Sequence, residues 1–119
     1  MNTFAKHIDH LLSITDIPYT FVESMMHSRF SFHPERRIWI PRFDNGLGDM
    51  SYAVCLHELG HAHDPYYFNV TTGMWVSRAT IQKAEVLAWE WAQANALVWT
   101  PPMEDMKRFA LSTYGVMYC

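Results

Sequence analysis

Five residues near the middle of the chain, His57-Glu58-Leu59-Gly60-His61, restrict its fold more than any other stretch. They fit the pattern H-E-x-x-H. On an α-helix, residues four apart lie one turn up and about 40° round, so both imidazoles face one point. Two neutral imidazoles converging in this way suit zinc. Glu58 lies about 100° round from His57. It is poorly placed to join the histidines as a ligand and well placed to reach a water on a metal. Gly60 costs helix stability and leaves room beside the helix for another backbone or a bound molecule.

A catalytic zinc site takes three protein ligands and keeps one position open. Glu85, Glu90 and His63 compete for the third place. On a helical wheel Ile81, Glu85, Ala88, Trp89, Ala92, Ala96 and Trp99 share one stripe, and Glu85 is its only charge. A charge on a buried face needs a partner, and the small Ala88 and Ala92 let this helix approach another closely. Glu90 lies about 140° away, beside Lys83, Gln93 and Leu97, and is expected in solvent. His63 is about 200° from His61 and is expected to point elsewhere. Glu85 is therefore the expected ligand, with Glu90 and His63 as alternatives. The longer pattern with a third histidine fails, because Asp64 and Tyr67 occupy its Gly and His positions.

The motif helix has clear neighbours. Phe4, Ile8, Leu11 and Leu12 recur at helical spacing, which predicts a helix over Thr3–Ser13. Alternation at Tyr19–Val22, then Arg29–Phe32 and Arg37–Ile40 around the turn-forming His33–Arg36, predicts a small antiparallel sheet. Pro41 ends the third strand. The strand Arg37–Ile40 is a candidate edge for pairing with an extended peptide. After the loop Asp44–Gly48, Asp49 or Ser51 is placed to cap the motif helix, which Asp64-Pro65 stops near Ala62. A loop of some 12 residues follows. Ser77 caps a long helix to about Val98, and Thr100-Pro101 starts a last helix that Gly115 ends. The whole reads as one α+β domain over residues 1–119.

Composition sets limits. Half of the residues are apolar, enough for one core in 119 residues. The net charge is only -3 and no Lys/Arg run exceeds two, so no nucleic-acid partner is expected. Lys6, His7 and Asp9 interrupt the N-terminal segment, so no signal peptide is expected, and no apolar run approaches the roughly 20 residues that cross a bilayer. A cytoplasmic protein without membrane contact follows, with Cys55 and Cys119 as free thiols. Met25-Met26 and the five tryptophans fit either a hydrophobic ligand or partner surface or core packing, with core packing the expected one and Trp91 exposed as a contact surface. His7, His10, His27 and His33 read as surface or capping residues.

HELGH followed by Glu85-x-x-Ala88-Trp89-x-Trp91-Ala92 resembles the small gluzincin metallopeptidases of the ImmA/IrrE type and their phage-borne, minigluzincin-like relatives. Their glutamate helix reads E-x-x-A-x-x-F/W-A. Arg37–Ile40 is similar to the strand ahead of their active-site helix, and Tyr114-Gly115-Val116 to their terminal turn. Trp89 stands where the family usually carries Asn. The resemblance implies a gluzincin-like fold, with the sheet packed on an active-site helix and a glutamate-bearing helix. It also implies zinc on His57, His61 and Glu85, Glu58 as general base, and a peptide or protein substrate. Tyr114, Tyr66, Tyr67 and His63 are the candidate donors to the transition state. The rival readings are a catalytically silent interaction or regulatory protein and a zinc hydrolase acting on a non-peptide substrate.

Overall fold

Residues 2–31, 35–44, 46–64 and 77–116 are described by a computed structural model. The four expected helices are present as α1 (Thr3–Thr15), α2 (Asp49–Ala62), α3 (Arg78–Asn95) and α4 (Pro101–Ser112). The three expected strands are β1 (Tyr19–Val22), β2 (Arg29–Ser31) and β3 (Arg37–Pro41). The fold is α+β. The last part of the expected 33–36 turn begins at Glu35; its start, and the loop over 65–76 with Tyr66 and Tyr67, lie outside the described residues.

The sheet differs from the expected antiparallel one. Its order is β1-β3-β2, with β2 antiparallel to β3 but β1 parallel to it. The cause is the link from β1 to β2. It holds the 3-10 turn Met25–His27, whose N-cap Ser24 accepts from the Met26 N–H, and it carries the chain past the central position to the far edge. β3 then fills the centre. Arg37–Ile40 is consequently no open edge; both of its sides are already paired.

α2 occupies the middle of the molecule. Its mean amphipathicity is weak because it is buried nearly all round, from Tyr52 to Ala62. α1 lays Ala5, Ile8, Leu11 and Leu12 on the core, and the sheet adds Phe30, Ile38 and Ile40. The ends of these elements are tied across the chain. Asn2 caps α1 by accepting from Ala5 N–H at 2.9 Å, and its amide donates to the Leu47 carbonyl at 2.8 Å. α2 starts from Gly48, with neither Asp49 nor Ser51 as its cap. Asp49 instead accepts the Thr100 hydroxyl at 2.7 Å, which is why Thr100 makes no side-chain cap for α4. α3 stops at Asn95, short of Val98, and the Leu97 N–H donates to the buried Tyr52 hydroxyl at 3.0 Å. After α4, Gly115 takes φ +81 and Val116 N–H returns to Leu111 O, the left-handed ending that glycine permits.

α2 and α3 meet at Gly60. A Cβ there would stand 2.4 Å from the backbone oxygen of Ala88. Helix propensity alone favours alanine over glycine by about 1 kcal/mol. Two backbones in contact leave no room for it, and overpacking costs about 1–3 kcal/mol or more. Gly60→Ala is expected to lower stability in urea unfolding; an increase would mean that the helices are not in contact there.

Candidate metal centre

The two motif histidines face one point, as their spacing requires. Their rings lie 4.5 Å apart at 65°, on the side of α2 that meets α3. α3 brings Glu85 to the same point. One carboxylate oxygen is 2.5 Å from His61 Nε2 and the other 3.4 Å from His57 Nε2. The stripe around Glu85 is buried as expected at Ala88, Trp89 and Ala92, while Glu90 is exposed. Trp89 adds a contact that helical spacing alone did not assign. Its indole lies flat on the His57 ring, 4.4 Å between centroids and 11° from parallel, and so fixes the imidazole plane.

Burial shapes the charges. It raises the carboxyl of Glu85, but the two histidines outweigh it and bring the pKa down to about 2. Burial lowers His57; Glu58 and then Glu85 more than offset this, and its pKa stands above the ordinary value. Burial and then repulsion from His57 leave His61 below the ordinary value, against the opposing pull of Glu85 and the buried Asp64. Glu58 is buried beside His57, with Oε2 3.7 Å from His57 Nδ1. Burial raises its pKa to about 7, His57 opposes the rise, and Glu85 adds to it.

Of the candidate donors among the described residues, His63 and Tyr114, one reaches this cluster. The Tyr114 hydroxyl follows α4 and engages Glu85; burial, then the charge of Glu85, push its pKa up to about 12. The Gln82 amide donates to the Tyr114 carbonyl at 2.9 Å and holds that turn against α3. His63 is turned away. It stacks on Trp91 at 4.7 Å and meets Thr15 Oγ1 at 3.3 Å. That stack also corrects the expectation for Trp91, which is half-buried against the core rather than an exposed surface. Tyr66 and Tyr67 lie outside the described residues. Cys55 is a free, buried thiol pushed far up by burial, and takes no part; Cys119 lies outside the described residues.

The residues fit a metal ion. Donor atoms of His57, Glu58 and His61 all lie within 4.8 Å of one another. His57 Nε2 is buried and makes no well-formed hydrogen bond, a vacancy that a buried ring nitrogen rarely tolerates. Ligands at ordinary zinc distances in a tetrahedron stand about 3.3 Å apart, close to the 3.4 Å between His57 Nε2 and Glu85. The shorter His61–Glu85 contact is a direct hydrogen bond between two groups of ligand type.

Neither a protein-family model, nor a characterised protein, nor a solved structure matches the chain. The geometry therefore stands by itself. Among the described residues, no helix is long and apolar enough to cross a membrane.

Glu85 and Glu90 separate cleanly in this arrangement. In a Zn2+ titration against a chromophoric chelator, Glu85→Ala is expected to weaken binding by at least about a hundredfold, the upper end of what losing a group behind the ligands costs. Glu90→Ala is expected to stay near the parent value. Equal effects would remove Glu85 from the ligand set.

Proposed function

We propose that this chain is a zinc-dependent peptidase of the gluzincin kind, akin to the ImmA/IrrE type, acting in the cytoplasm on peptides or proteins. His57, His61 and Glu85 hold the zinc and Glu58 is the general base. One observation carries the reading: two carboxylates are buried at the histidine pair, and only Glu85 is taken up by both imidazoles. A purely structural site has no use for the second. Glu58 borders an open cleft of about 200 Å³, where a substrate carbonyl and a water have access.

Zinc held by His57, His61 and Glu85 would supply Lewis-acid polarisation of a scissile carbonyl and would make water acidic enough to attack near neutral pH. Glu58 accepts the proton of the attacking water and passes it to the leaving amine. Burial raises its proton affinity, and a cation beside it would draw that back, so that the group could both take and return a proton. Tyr114 borders the same cleft, and its hydroxyl remains protonated at neutral pH, ready to donate to a developing oxyanion. Trp89 and Glu85 hold the imidazoles in place while this happens.

Two variants test the assignment, with zinc read by mass spectrometry and cleavage read on an unstructured peptide library with and without chelator. Glu58→Gln keeps the shape and removes the base. It is expected to retain zinc and fold while cleavage falls at least about a hundredfold. Loss of zinc would make Glu58 a ligand, and undiminished cleavage would place the chemistry elsewhere. Zinc-loaded parent protein that cleaves nothing would favour an interaction protein over an enzyme. Tyr114→Phe is expected to retain zinc and lose about a hundredfold in kcat; an unchanged kcat would exclude Tyr114 as the donor.

A further inference from the structure

Met25-Met26, expected in the core, is not there. Met25 is half-buried and Met26 is 76% exposed, and both border the cleft in front of His57, Glu58 and Glu85. The opposite wall is Met106 and Phe109 of α4, with Phe109 61% exposed. Apolar side chains from two separate elements are thus left in water around one opening. Such exposure costs hydration free energy and marks a binding surface.

The size and chemistry of the opening restrict its occupant. About 200 Å³ is below the range of sites for whole small-molecule cofactors and suits a single large side chain. Methionine walls are unbranched and adaptable, so they accept more than one apolar shape. The inner end is lined by His57, Glu58 and Glu85, and the outer walls are apolar.

We propose that the Met25/Met26–Met106/Phe109 cleft is a side-chain subsite selecting one large, apolar, flexible-fitting residue (Met, Leu or Phe) of a bound peptide. This rests on the peptidase reading for its ligand class, but its binding preference is measurable without turnover.

The test uses the full chain as Glu58→Gln, supplied with zinc, and fluorescence anisotropy of labelled peptides that differ at one residue: Leu, Met, Phe, Ala or Asp. Leu, Met and Phe peptides are expected to bind at least about tenfold more tightly than Ala, the scale of a few methylenes in an apolar pocket. Met26→Ser and Phe109→Ser, both at exposed positions, are expected to reduce the Leu-over-Ala preference to about threefold or less with an unchanged unfolding midpoint. Equal binding of Leu, Ala and Asp peptides, no peptide binding, or a preference untouched by both variants overturns the subsite. Parallel mapping of cleavage by the parent protein separates the two ideas. Cleavage indifferent to neighbouring side chains overturns the subsite and leaves the peptidase. The apolar binding preference with no cleavage keeps the subsite and removes the peptidase.

Discussion

At Gly60 the central helix touches its neighbour backbone to backbone, with no side chain between it and the Ala88 carbonyl. The candidate site depends on that contact. Glu85 stands one turn before Ala88 on the same face, and its short side chain reaches both imidazoles only because α2 and α3 lie this close. A methyl group at position 60 would push the helices apart and draw the carboxylate away. The same approach sets Trp89 flat against His57. One missing Cβ therefore positions a buried carboxylate, a stacking wall and the helix that carries them.

Charge then stabilises what packing has assembled. Glu85 is buried, and a lone carboxylate there would be expensive; the hydrogen bond with His61 and the proximity of both imidazoles offset this. Glu58 is buried too, yet nothing comparable holds it, and its proton affinity rises. Two glutamates of the same intrinsic acidity are driven in opposite directions, Glu85 down and Glu58 up, by where the helices place them. This contrast is the one by which environment sets two like carboxylates apart.

The outer parts of the site come from elsewhere in the chain. The 3-10 turn before β2 and the last helix form the two walls of the cleft, and the turn after α4 delivers Tyr114. The Gln82 amide and the Gly115 turn secure that delivery, one by a hydrogen bond from α3 and the other by a left-handed backbone. The two core helices supply the buried donor atoms, and the 3-10 turn, the last helix and the turn after it supply the walls of the cleft.

The sequence by itself determined whatever depends on residues close together along the chain. The convergence of His57 and His61 follows from helical spacing, as do the burial of Glu85 and the exposure of Glu90 on opposite sides of α3. The helix starts at Ser77 and Thr100 and the stop at Gly115 follow from local backbone chemistry. The close approach at Gly60 was legible too, because glycine facing small residues has few other uses. What only the tertiary structure decided lies between distant segments. Strand direction was one such matter: β1 runs parallel to β3 because of the path of the connection, which alternation of side chains does not encode. The place of Met25 and Met26 was another, since hydrophobicity says that a residue avoids water but not whether it meets the core or a ligand. Among His63 and Tyr114, equal candidates by chemistry, only long-range packing sent one to Trp91 and the other to Glu85. Such choices are set by contacts between residues tens of positions apart, and no short pattern in the chain records them.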